Sequence, residues 1–259
     1  MTLEAVFVRD GERFVATEAA LGPWYEDALH GGAPAALLVH AINGAGLDPA
    51  LRLARITYEF VRPVPLGPLS VVLEVVRPGR RVTLLDAVLL DPDQIEVMRA
   101  RALLLRAAEL GDSPRSAPPF PGPEAGQTND FPGARGPGFA TDAMEIRFVQ
   151  GTFLEPGAAT AWFRLRRPVV AGEPVSQLER LAAAGDFGNG IASVLSWDEH
   201  VFINPDLTLY IEREPVGEWV ALQSETRIGL GSVAVAESLL WDRHGRIGRA
   251  IQALLVGTR

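Results

Sequence analysis

The sequence predicts an α+β protein of two tandem units, each an antiparallel sheet wrapped around one long helix. Three observations carry this expectation. Each half holds a single apolar helix pattern and a run of β-type segments, the order restarts after a Pro/Gly-dense stretch, and short signatures recur at a spacing of about 150 residues.

In chain order, Ala5 to Val8 and Arg13 to Thr17 read as strands around the Asp10-Gly11 hairpin signal. After His30-Gly31-Gly32, Pro34 opens the apolar run Ala35, Ala36, Leu37, Leu38, Ala41 and Ile42. This predicts a buried helix ending near Asn43-Gly44, because proline fits a first helical turn and glycine favours the end. Four strands follow, Leu53 to Arg62, Leu69 to Arg77, Arg81 to Leu90 and Ile95 to Arg106, divided by Pro/Gly breaks. These elements make a first unit, 1–108. Residues 109–141 lack apolar periodicity and read as a linker, partly extended or disordered. The second unit, 142–259, repeats the order with strands Met144 to Phe148 and Thr160 to Arg166, a helix pattern from Pro174 to Trp197, and strands Leu207 to Arg213, Trp219 to Arg227, Ser232 to Trp241 and Ile247 to Val256.

The repeat is visible in residues as well as in order. Arg62-Pro63-Val64-Pro65-Leu66-Gly67 pairs with Arg213-Glu214-Pro215-Val216-Gly217, Arg77-Pro78-Gly79 with Arg227-Ile228-Gly229, and Arg99-Ala100 to Leu105 with Arg249-Ala250 to Leu255. A long sheet buries one apolar helix by curling around it, the hotdog arrangement.

The second helix pattern is unusual for a core helix. Leu178, Leu181, Ala182, Gly185, Asn189 and Ala192 form one stripe, and Asp186 borders it, facing the core. A bland account makes Asp186 a hydrogen-bonded structural residue or an early helix end. The repeat serves as an internal comparison: near Asp186 the first copy has Ala35, beside Thr226 it has Val76, and for Gln252 it has Ala102. Strand alternation turns Thr226 and Gln252 inward, so an acid, a hydroxyl and an amide converge in the second unit only.

Composition narrows the function. The chain has 259 residues, 47% of them hydrophobic, and no cysteine, which excludes disulfides, thiolate metal sites and a cysteine nucleophile. All 24 basic residues are arginine, so Schiff-base and P-loop chemistry are absent. A net charge of -8 with no basic run argues against nucleic acid as partner. No apolar run nears the roughly 18 residues of a membrane span, and Met1 to Asp10 lacks a signal pattern, so a cytoplasmic location is expected. His40, His200 and His244 are isolated, so no metal is assigned, and no cofactor is called for.

With Gly22-Pro23-Trp24, His30-Gly31-Gly32, Asp186, Asn204-Pro205-Asp206, Glu225-Thr226 and Arg249-Ala250-Ile251-Gln252 in place, the chain resembles a double-hotdog acyl-CoA thioesterase. It is similar to the acyl-CoA thioesterase II family over nearly its whole length apart from the linker. The resemblance implies hydrolysis of an acyl thioester, carried by CoA or acyl carrier protein, by a water that Asp186, Thr226 and Gln252 hold. The Thr226 match needs a one-residue gap. His30, Gly31, Gly32, Gly188 and Asn189 are expected on the substrate side, and Arg80, Arg81 or Arg62 at the carrier phosphates, because an acidic chain must gather positive charge locally to hold them; a homodimer is a further expectation.

His30-Gly31-Gly32 departs from the His-Gly-Gly type of hotdog site, which has an acid on a neighbouring helix, because no acid occurs from Ala33 to Asn43. His30 therefore reads first as a loop residue packing the helix start, with chemistry confined to the second unit; a composite site is the alternative. Asp186-Phe187-Gly188 lacks the lysine of a kinase, Gly229-Leu230-Gly231 precedes no helix, and no Gly-x-Ser-x-Gly occurs. Two other functions stay open: a non-catalytic acyl-thioester binder, and an enoyl-thioester hydratase or dehydratase, disfavoured because no histidine lies near Asp186 in sequence.

Overall fold

A computed structural model describes residues 5–108, 116–129, 131–132, 136–229, 231 and 233–258. The strands are β1 Phe7–Asp10, β2 Arg13–Ala16, β3 Leu51–Phe60, β4 Pro68–Arg77, β5 Val82–Leu90, β6 Glu96–Arg106, β7 Met144–Gln150, β8 Ala159–Leu165, β9 His200–Ile203, β10 Asp206–Ile211, β11 Trp219–Ile228, β12 Val233–Asp242 and β13 Gly245–Thr258. The helices are α1 Gly32–Asn43, α2 Gln177–Gly185 and α3 Gly188–Ile191. Every long strand expected from the Pro/Gly breaks is present, with ends shifted by at most two residues. β9 is an addition: too short for a period-two pattern, it pairs with the end of β13.

The strands join one antiparallel sheet in the order β1-β2-β4-β5-β6-β3-β10-β13-β12-β11-β8-β7, with β9 off this path beside β13. The early and late strands thus stay grouped and meet at one seam, where β3 pairs with β10 from Tyr58 opposite Leu207 to Arg55 opposite Tyr210. A second seam joins the two parts of the chain: Val6 and Phe7 donate backbone hydrogen bonds to Pro168 and Val169, and Ala171 donates to Phe7.

The helices lie between these seams. α1 is buried along most of its length, as its apolar run requires, with Ala35, Leu37 and Leu38 at 0% exposure. α2 starts on a capping box: Ser176 Oγ accepts from the Glu179 N–H at 3.2 Å, and Glu179 Oε2 accepts from the Ser176 N–H at 2.8 Å. The two helices run antiparallel. Asn43, at the end of α1, donates to Ser176, at the start of α2, and His40 Nδ1 meets Glu179 Oε1 at 2.9 Å. The start of α1 consequently meets the end of α2.

Two expectations need correction. The helix pattern from Pro174 to Trp197 is broken: α2 ends at Gly185, Asp186 is its C-cap, and α3 resumes for four residues. Gly185, Gly188 and Gly190 weaken the helix there, and the stripe hides the break because the residues beyond it are buried too. The linker is also more ordered than expected in its described part. Phe120 packs edge-on against Trp162 and Trp241, Trp162 Nε1 donates to Pro121 at 2.9 Å, Gln127 bridges to Phe148, and Phe139 is buried. Residues 109–115, 130 and 133–135 of the expected linker lie outside the described residues.

Candidate active site

The antiparallel helix pair puts His30 and Asp186 face to face. Gly31 and Gly32 permit the approach: a Cβ on Gly31 would lie 2.6 Å from Asp186 Oδ2, and one on Gly32 would lie 2.6 Å from the Ala183 carbonyl oxygen. With hydrogen there instead, His30 Nδ1 stands 3.3 Å from Asp186 Oδ2 and accepts the Gly32 N–H at 3.0 Å. The imidazole stacks on Phe187 at 4.3 Å, and Phe139 packs beside both rings, 5.2 Å from the imidazole.

On the other side, Asp186 Oδ1 accepts from Asn204 Nδ2 at 2.8 Å and from Gln252 Nε2 at 3.1 Å. Gln252 is itself fixed, because its Oε1 accepts the Asn189 N–H at 3.1 Å, which sets the amide with its nitrogen toward the acid. Asn204 is tied through Nδ2 to the Asp206 carbonyl at 3.0 Å. These groups hold the carboxyl in one orientation.

Burial pushes Asp186 up to about 7, against the opposing hydrogen bonds from Asn204, the Gly32 backbone and Gln252. Asp242 shows what a structural acid looks like here. It is fully buried too, and burial alone would raise it, but the Arg213 guanidinium and the Val216 and His244 N–H groups bring it below the usual carboxylate range. Asp186 has no cation to do this, since burial pushes His30 down to about 3 and leaves it uncharged at neutral pH. Their 3.3 Å contact is therefore not an ion pair. The Gly32 N–H bond to Nδ1 leaves the ring hydrogen on Nε2, so Nδ1 is an acceptor facing the acid.

Asp186, His30, Gly31 and Asn204 line a cavity of about 300 Å³ whose remaining walls are mostly apolar. This is the low end of the usual ligand-pocket range.

The structure sorts the residues singled out in the sequence. It unites Asp186, Gln252, His30, Gly31 and Gly32. It does not bring Thr226 to them: β12 lies between β11 and β13, so two strand spacings, roughly 9 to 10 Å, separate Thr226 from Gln252. Thr226 is buried beside a very small cavity, and its Oγ1 has no hydrogen-bond partner among the described residues. Asn204 occupies the place assigned to it. Gly188 packs under Gln252 and Ser238, and Asn189 holds Gln252 and Asn204, so both support the acid. Arg80 and Arg81 border a separate surface hollow with Arg77 and Arg106, whereas Arg62 lies at the rim of the main cavity. Ala35 sits in the first turn of α1 and Asp186 beyond the last turn of α2, so they are not counterparts. The cavity beside Asp186 also draws on the first part of the chain, because His30 and Gly31 line it.

Comparison with known proteins gives the family. A family description for the acyl-CoA thioesterase C-terminal domain matches residues 114–256, and one for the acyl-CoA thioesterase N-terminal domain matches residues 20–109. The chain belongs to the acyl-CoA thioesterase family. It is accordingly a thioester hydrolase acting on acyl thioesters. No curated protein matches the chain by sequence. Among solved structures it is similar to a thioesterase II candidate of Thermobifida fusca YX, with 19% identity, 97% of this chain and 95% of that one covered, and a TM-score of 0.77. A protein of unknown function with hotdog fold from Alicyclobacillus acidocaldarius gives 16% identity, 98% and 95% coverage, and 0.75. The acyl-CoA thioesterase II TesB2 of Mycobacterium marinum gives 16%, 96% and 94%, and 0.67. At these identities the likeness establishes the hotdog fold. Among the described residues no helix is long and apolar enough to cross a membrane.

Proposed function

We propose that this thioesterase hydrolyses an acyl-CoA or acyl carrier protein thioester with Asp186 as general base. The observation that carries the reading is a buried carboxyl pushed up to about 7 at an apolar cavity, with Gln252 and Asn204 fixing its orientation. A base of that proton affinity is about half ionised at neutral pH, where general-base assistance is most effective. Water gives its proton to Asp186 Oδ2 as its oxygen bonds to the thioester carbon. The oxyanion is received by the Gly31 N–H, which lines the cavity next to α1 and donates to no acceptor among the described residues. The carbon–sulfur bond then breaks, and Asp186 returns the proton to the thiolate, a downhill step because a free thiol has a pKa near 8.5.

The division into two hotdog units, 1–108 and 142–259 with 109–141 between, belongs to the same proposal. It is supported by the ranges of the two family matches and by the β3–β10 seam. The His30–Asp186 contact also favours a second reading, an enoyl-thioester hydratase. Incubation with saturated and 2-enoyl CoA thioesters separates the two. Hydrolysis releases free thiol from both, and Asp186→Asn lowers that release at least about 10²-fold. Loss of the enoyl absorbance without thiol release would establish the hydratase instead.

A further inference from the structure

The geometry points to a compact, ring-bearing acyl group, such as an arylacetyl group, as the preferred substrate over a long linear chain. This rests on the thioesterase reading and names the substrate of that site. Six aromatic side chains line the cavity of about 300 Å³ beside Asp186: Trp24, Tyr25, Phe60, Phe131, Phe187 and Trp197. Their burial is graded. Phe187 is 2% and Trp197 9% exposed, whereas Tyr25 is 52% exposed and Arg62 stands in solvent at the rim. The charged carrier has to remain at the wet end, so the buried rings face the acyl group.

These rings also brace one another and cannot retreat cheaply. Trp24 stacks on Trp197 at 5.3 Å, Trp197 meets Phe202 edge-on at 4.7 Å, and Phe131 meets Phe153 edge-on at 4.9 Å. A planar acyl ring can pair with such walls in offset or edge-on geometry, a gain of several-fold up to about tenfold in binding beyond its area. A long chain finds no room. A neighbouring cavity of about 340 Å³ shares the braced Phe131 with this one, so that ring lines both spaces. Phe131 therefore limits acyl length.

The test measures kcat/KM for thiol release from phenylacetyl-CoA, cyclohexylacetyl-CoA and palmitoyl-CoA with the full chain, wild type and Phe131→Ala. The expected wild-type order is phenylacetyl first, several-fold above cyclohexylacetyl and at least about tenfold above palmitoyl, and Phe131→Ala shrinks the gap to palmitoyl by opening the second cavity. Palmitoyl-CoA equal to or better than phenylacetyl-CoA in the wild type overturns the inference. Binding of the non-hydrolysable thioether analogues, read by quenching of tryptophan fluorescence, covers the remaining case. If no thioester is cleaved but the aryl analogue still binds better than the palmityl one, the hydrolytic reading falls and this inference stands; the reverse binding order overturns it.

Discussion

Replacing Asp186 by Asn should stabilise the fold at alkaline pH while disabling the site, and the size of the effect follows from the burial of one carboxyl. The side chain is 7% exposed and moves from an ordinary 3.8 to about 7 because burial outweighs its three hydrogen bonds. That difference corresponds to on the order of 4 kcal/mol between the protonated and ionised forms. Below pH 3.8 both folded and unfolded chains hold the proton. Between 3.8 and about 7 the unfolded chain has lost it and the folded one keeps it, so stability falls by about 1.4 kcal/mol per pH unit, and above 7 the loss is complete. Asn carries no such linkage. It keeps an oxygen for Asn204 and Gln252 but turns an amide toward the Gly32 N–H, a mismatch costing roughly 1 kcal/mol at all pH values. Urea unfolding of both proteins from pH 5 to 8 should show the variant gaining roughly 2 to 3 kcal/mol on the wild type across that range. Parallel pH dependences for the two proteins would mean that Asp186 titrates normally, and the argument for a tuned base would fail.

Other outcomes follow from single contacts. Thr226→Val should leave kcat within about threefold and keep or slightly raise stability, since its hydroxyl is buried without a partner among the described residues and distant from Gln252; a loss in kcat comparable to that of Asp186→Asn would return Thr226 to the site. Asn204→Ala and Gln252→Ala each remove a donor that lowers Asp186, so the acid limb of the pH–rate profile should move to higher pH, and an unmoved limb counts against both contacts. Gly31→Ala puts a methyl 2.6 Å from Asp186 Oδ2 and 2.8 Å from the Phe60 ring, so turnover should be lost with roughly 1 to 3 kcal/mol of destabilisation; normal kinetics would refute the close approach.

Much of this arrangement was legible in the sequence, and the exceptions have physical causes. The strands stood out because Pro78-Gly79 and Asp91-Pro92-Asp93 cannot continue a ladder, and α1 because Pro34 and Asn43-Gly44 bracket an apolar run. Asp186 and Gln252 were found as polar residues that packing did not require. The break in the second helix was not seen, since residues on both sides of Asp186 are buried and an apolar stripe runs through it. The His30–Asp186 contact is not legible because it is set by two antiparallel helices meeting end to end, which local sequence does not encode; Gly31 and Gly32 mark the close approach. The separation of Thr226 from Gln252 is not legible, because strand alternation tells which face a side chain takes but not how many strands lie between two residues on that face. Asn204-Pro205-Asp206 was noticed as a signature, yet its contact depends on how the turn between β9 and β10 closes.

The claim at the centre of this account is that one buried acid, Asp186, works as a base with a pKa of about 7 beside an uncharged His30. The pH dependence of kcat/KM for thiol release tests it most directly, because in the free enzyme it reports the ionisation of the groups the reaction needs. The account predicts a rise along a single limb centred near pH 7, with no separate limb from His30 between pH 5 and 9, and its disappearance in Asp186→Asn. A limb that persists unchanged in Asp186→Asn, or that is lost only in His30→Ala, would contradict it.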